Sequence, residues 1–213
     1  MTRILRGMVT LALMVALPAV AVGILVPRVA VELYARFGLG AWAGLGASVV
    51  AAAVALAVCT RVMLHRARRH RRRMRPRVVT IAALMVGYCV YAILSISGAN
   101  AKTGEVRQEL RSLHPCLRLA VGTAVIGDDS LLLTDIAREP DDYGEMGLDT
   151  RASSLHYVQE DGYAHAVDLR TKGRSELHNG LTRLYFHALG LRTLRHVGTA
   201  DHLHVALPVP ETR

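Results

Sequence analysis

Apolar residues are distributed in two ways along this chain. From Gly7 to Pro27 no residue is charged, and Leu39 to Thr60 and Val78 to Ser97 are likewise uncharged, apolar on every side rather than along one stripe. About 20 apolar residues at a 1.5 Å rise match the hydrocarbon thickness of a bilayer. Three transmembrane helices are therefore expected, at about 7–27, 39–60 and 78–98. Ala19-Val20-Ala21 could serve as a signal-peptide cleavage site, but the apolar run continues past it, which favours an uncleaved span. Val29 to Phe37, carrying Glu32 and Arg36, reads as a short polar connection.

Beyond residue 100 the apolar runs shorten and become periodic. Glu105 to Leu113 reads as a short helix, and Leu117 to Val125, after Pro115, as another. Asp128-Asp129 marks a turn and Leu131 to Ile136 a buried strand. Glu139 to Thr150, with Pro140, Gly144 and Gly147, reads as loop. Ala164 to Leu169 alternates as a strand does. Ser175 to Leu189 reads as a helix with Leu177, Leu181, Leu184, Tyr185 and Ala188 apolar and Gly190 suited to its C-cap. Leu203 to Leu207 is the last expected strand. The expected fold is thus a membrane anchor of three spans over residues 1–100, followed by a small α+β domain over 101–213 with an antiparallel sheet.

Charge sharpens this division. The first hundred residues hold one acidic residue, Glu32, and the remainder hold sixteen. The formal net charge of +9 equals the nine arginines between Arg61 and Arg77, a stretch with no acid. Short basic loops stay cytoplasmic, so the N-terminus and the 61–77 loop are expected inside and everything after Gly98 outside, on the periplasmic or cell-wall side of an inner or plasma membrane. A nucleic-acid reader would carry its basic residues on the folded module. Here the C-terminal part has thirteen Lys and Arg against sixteen Asp and Glu, so no nucleic-acid partner is expected. Cys116 is the lone cysteine of the exported part, more readily buried than reactive, and no intrachain disulfide is expected there.

Candidate chemistry concentrates between Ser154 and His204. Ser-Leu-His-Tyr (154–157), Ala-Val-Asp-Leu (166–169) and Asp-His-Leu-His-Val (201–205) bring imidazoles and carboxylates from separate elements, as a zinc site needs. Together with Leu-Thr-Asp-Ile-Ala-Arg (133–138), these motifs resemble the zinc D-alanyl-D-alanine peptidase family, the D-Ala-D-Ala carboxypeptidases and L-alanyl-D-glutamate peptidases. That family shares its zinc site with the hedgehog amino-terminal signalling domain. The resemblance covers roughly Pro115 to Val205. It implies one zinc held by His156, Asp168 and His204, acting on peptidoglycan stem peptides, with Arg138 and Ser154 on the substrate.

Two features depart from the family pattern. The twelve residues from His156 to Asp168 imply a five-residue insertion within Gln159 to His165, and His165 becomes a rival ligand. Strand alternation argues against it, because residues 166 and 168 share one face and 165 lies on the other. Asp201, three before His204, fills the position of the peptidases' catalytic carboxylate, whereas the hedgehog domain's Glu would fall on Gly198. The expected roles are Asp201 as general base and His202 as a donor to the oxyanion. The expected activity is a zinc metallopeptidase; the alternative is a non-catalytic, zinc-stabilised cell-wall-binding or sensor module. Neither the bond cleaved nor the oligomeric state is legible in the chain.

Overall fold

The computed structural model describes residues 22–66, 74–145, 147, 153–198, 201–208 and 210. Helix α1 runs through residues 22–37, followed by α2 (Ala41–Arg66) and α3 (Met74–Ser95). After a 3-10 turn at Gly98–Asn100 come α4 (Gly104–Glu109), α5 (Pro115–Gly127), β1 (Leu133–Asp135), α6 (Pro140–Glu145), β2 (Ala166–Arg170), α7 (Glu176–Ala188), β3 (Arg192–His196) and β4 (His202–Ala206). The four strands form one antiparallel sheet in the order β1-β2-β4-β3. The fold is mixed α+β with a small antiparallel sheet.

Several elements differ from expectation. Residues 29–37 continue a helix rather than forming a connection; Glu32 pairs with both Arg28 and Arg36 at helical spacing, so the charges neutralise one another along one side. Residues 140–145 form the short helix α6 where loop was expected. Among the described residues, one helix is long and apolar enough to cross a membrane, at Ala41–Val58. In α3 the apolar segment found among the described residues is Ala83–Ser95. Three spans are therefore not established, and most of the expected first span, 7–27, lies outside the described residues, as does 67–73 of the basic loop.

The boundary expected at residue 100 does not coincide with a break in the core. Val26, Ala30 and Val31 of α1, Met85 and Ala92 of α3, and Leu117 and Val121 of α5 belong to one buried cluster that continues to Val205 and Leu207. Helix α5 packs against α3 and α2, and the α3 crossing is close: a Cβ on Gly122 would lie 1.9 Å from the Ala92 carbonyl oxygen. Ser95 Oγ donates to both carbonyls of that contact, Ala92 at 2.7 Å and Gly122 at 3.2 Å.

Helix α7 lies on the sheet with a different face inward than expected. Phe186 and Asn179 are buried, whereas Leu177, Leu181 and Leu184 are 72%, 53% and 62% exposed. Asn179 Nδ2 donates to the Thr171 carbonyl at 3.2 Å, and Tyr185 OH donates to the Ala120 carbonyl at 3.1 Å, fixing this rotation. The helix ends as its sequence suggests. Gly190 adopts φ 83°, and the amides of Gly190 and Leu191 donate to the carbonyls of His187 and Phe186, a Schellman closure.

Candidate metal centre

Adjacent antiparallel strands supply two of the expected ligands. In the β2–β4 register Asp168 lies opposite His204, so both side chains project from one face, and the central position of β2 leaves Asp168 almost fully buried. His204 Nδ1 lies 2.8 Å from Asp168 Oδ1. The third residue, His156, comes from the turn before the inserted loop. Its Nε2 sits 3.2 Å from His204 Nδ1 and 3.4 Å from Asp168 Oδ1.

Local bonds hold His156 in one orientation. Its amide donates to Ser154 Oγ at 3.3 Å, its carbonyl accepts the Arg138 amide at 3.1 Å, and its Nδ1 lies 2.8 Å from the Ile136 carbonyl. A carbonyl only accepts, so Nδ1 carries the proton and Nε2 presents a lone pair. This is the outer bond that metal-ligating histidines usually make. His156 Nε2 thus converges with His204 Nδ1 and the ionised Asp168 Oδ1, and once His204 Nδ1 gives up the proton it shares with that carboxylate, three lone pairs face one point. Such a set suits a cation better than it suits itself. Four-coordinate bonds of about 2.0–2.2 Å separate their donors by about 3.3–3.6 Å. The two contacts of His156, at 3.2 and 3.4 Å, come close to that spacing; the His204–Asp168 contact, at 2.8 Å, is tightened as a hydrogen bond is. The buried His/Asp group could hold a metal ion.

Burial pushes the Asp168 carboxyl up, but the close contacts of the His156 and His204 imidazoles, with His202 beyond them, outweigh it, leaving Asp168 well below the usual carboxylate range. Asp168 Oδ2 faces Arg138 Nη2 at 3.0 Å, and the same guanidinium binds Asp135. Arg138 is therefore engaged on the ligand rather than aimed outward. Ser154 acts within the turn, accepting the His156 amide.

The remaining site residues divide by sheet face. His202 shares the face of Asp168 and His204; its Nε2 lies 3.6 Å from Asp168 Oδ2, and its ring stacks on His196 with centroids 4.8 Å apart. Asp201 is not brought to the triad. Its carboxylate accepts from Thr171 Oγ1 and from Arg195, whose Nη2 lies 3.1 Å away and whose guanidinium also binds Glu176 of α7. Hydrogen bonds from Arg195 and Thr171 hold Asp201 below its ordinary pKa. The signal was present in the numbering, since residues 201, 203 and 205 alternate with 202 and 204, and Leu203 and Val205 are buried on the opposite face.

His165 also stays away from the triad and belongs to a second group with His114 and Asp161. Its Nε2 is 2.9 Å from Asp161 Oδ2 and its Nδ1 is 3.1 Å from Tyr34 OH of α1. The inserted residues thus form a turn that reaches the N-terminal helices, and Tyr163 OH accepts from Trp42 Nε1 at 2.9 Å. This second group is a poor metal site. His114 Nδ1 accepts the Cys116 amide at 3.2 Å, so in the neutral ring the proton sits on Nε2, which then has no lone pair to offer. Burial, followed by the neighbouring His165, lowers the His114 pKa to about 4. Cys116 is buried, and burial pushes its thiol up to about 12, which removes it as a nucleophile.

No family model, curated protein or solved structure matches this chain.

Proposed function

We propose that this chain is a membrane-anchored zinc peptidase of the cell envelope that hydrolyses peptide bonds in peptidoglycan stem peptides. The observation that carries the reading is the convergence of His156 Nε2, His204 Nδ1 and Asp168 Oδ1 within 2.8–3.4 Å of one another, with the outer nitrogen of His156 tied to a backbone carbonyl. Two imidazoles and one carboxylate make the ligand set of a hydrolytic zinc site that keeps a fourth position open. The bound ion would lower the pKa of a water toward 7 and polarise the scissile carbonyl. The resemblance of the three motifs to the D-alanyl-D-alanine peptidases supplies the substrate class.

In this reading the protein's own groups position and move protons. His202, on the face of the triad with its Nε2 3.6 Å from Asp168 Oδ2, would take the proton of the attacking water and pass it to the leaving amine, or donate to the developing oxyanion. Asp201 could act as base only after releasing Thr171 and Arg195. With the three spans expected from the sequence, the arginine-rich stretch between the second and third would be held in the cytoplasm and the metal centre would lie outside; of these spans Ala41–Val58 is long and apolar enough to cross a membrane.

The test is mass spectrometry of defined peptidoglycan fragments incubated with the zinc-loaded full chain in detergent. Shortened stem peptides that disappear in His204→Ala are expected. One observation favours a rival reading, a zinc-stabilised binding module: the carboxylate at the catalytic position is sequestered in an ion pair with Arg195. Zinc-replete protein that binds fragments without cleaving any would establish that rival.

A further inference from the structure

The segment between Asp135 and Arg138 touches both buried ligands. In the β1–β2 register Asp135 lies opposite Asp168, so two carboxylates face each other across neighbouring strands. Like charges so placed repel. Arg138 resolves the conflict by binding both, with Nη2 3.0 Å from Asp168 Oδ2 and the guanidinium also on Asp135. The pair is shielded from water: the Arg138 side chain is 14% exposed and that of Asp168 4%. The same segment orients the other ligand, because the Ile136 carbonyl fixes the His156 ring and the Arg138 amide donates to the His156 carbonyl.

The consequence falls on how Asp168 can coordinate. A free carboxylate has two oxygens to offer, and a metal can take either one or both. Here Oδ2 is occupied by the guanidinium while Oδ1 alone faces His204 and His156, at 2.8 and 3.4 Å. We propose that Arg138 is a positioning residue that holds Asp168 to one-oxygen coordination, keeping a coordination position open beside His156 and His204. Resting on the metal-site reading, this replaces the role in substrate binding that the resemblance gives Arg138. A planar fork is suited to the task, since it can hold two carboxylates at once while an ammonium provides a point charge.

The experiment uses the full chain in detergent and cobalt(II) as the metal. Wild type, Arg138→Met, Arg138→Lys and Asp135→Asn are titrated with cobalt, and the visible absorption and dissociation constant are read for each. Arg138→Met should weaken cobalt binding by about 10–100-fold, the usual effect of losing an outer-shell partner. Its absorption should fall in intensity as the second oxygen of Asp168 joins the metal. Arg138→Lys should restore affinity in part, and Asp135→Asn should shift both readouts in the same direction by less. If Arg138→Met does not fold, Arg138→Lys and Asp135→Asn decide: spectra and affinities equal to wild type in both overturn the proposal. Unchanged cobalt binding in a folded Arg138→Met variant, with a raised KM for stem peptide, also overturns it and returns Arg138 to the substrate. Failure of the underlying reading looks different, since then wild type itself takes no cobalt or His204→Ala binds it equally well.

Discussion

At the scale of single residues the two faces of β4 separate roles that adjacent sequence positions conceal. His202 faces the triad and Asp201 faces Arg195. Replacing His202 by Gln should lower turnover on stem peptide by at least about a hundredfold, the lower end of general acid–base assistance, with zinc content unchanged. Asp201→Asn should leave turnover within severalfold of wild type. The reverse ranking, with Asp201→Asn the crippled variant, would show that the Arg195 pair opens in the working enzyme. His114 carries a separate consequence. Its pKa in the fold is about 4, against about 6.5 in the unfolded chain, so the unfolded state binds the proton first as pH falls. Stability contributed by the neutral ring is complete above about pH 6.5, declines as pH drops, and levels off below about 4. At about 1.4 kcal/mol per unit the loss amounts to about 3 kcal/mol. His114→Asn, which keeps a cap acceptor for the Cys116 amide, should flatten that part of the unfolding profile. An unchanged slope would assign the effect to other histidines.

At the scale of elements, the prediction concerns which faces are packed. Phe186→Ala should cost about 3–5 kcal/mol, as large core truncations do. Leu181→Gln should change stability by less than about 0.5 kcal/mol, because Leu181 is exposed. Gly122→Ala, which forces a methyl group against the Ala92 carbonyl, should destabilise by about 1–3 kcal/mol or more. Chemical denaturation in detergent reads all three, and equal losses at Phe186 and Leu181 would mean that α7 packs the other way round. The sequence made the strands that carry ligands legible, since β2 and β4 are apolar and alternate as expected. The resemblance of their motifs implied the grouping of His156, Asp168 and His204, whose side chains the structure places together. The sequence did not show the rotation of α7, because Leu177, Leu181 and Leu184 repeat at helical spacing as a core stripe does; the inward face is decided by Asn179 and Tyr185 bonding to distant carbonyls. Strand β3 is not legible in the sequence because Arg-Thr-Leu-Arg-His is charged and polar, as suits an exposed edge. The engagement of Asp201 and Arg138 depends on partners brought from 195 and 168, which spacing along the chain does not reveal.

For the whole molecule, the metal centre and the N-terminal helices share a core. Residues of α1 and α3 are buried with those of α5, and the inserted turn adds Tyr34–His165 and Trp42–Tyr163 contacts. A fragment beginning at residue 101 should therefore expose a large apolar surface and aggregate or lose its near-UV circular dichroism, even though it contains every proposed ligand. A monomeric fragment with native zinc affinity would show that the anchor is dispensable to the fold. The most direct test of the central claim is the metal content of the purified full-length chain, measured by elemental analysis alongside His204→Ala. About one zinc per wild-type chain, largely lost in the variant, is the result expected; no zinc in folded wild type, or equal zinc in both proteins, would contradict it.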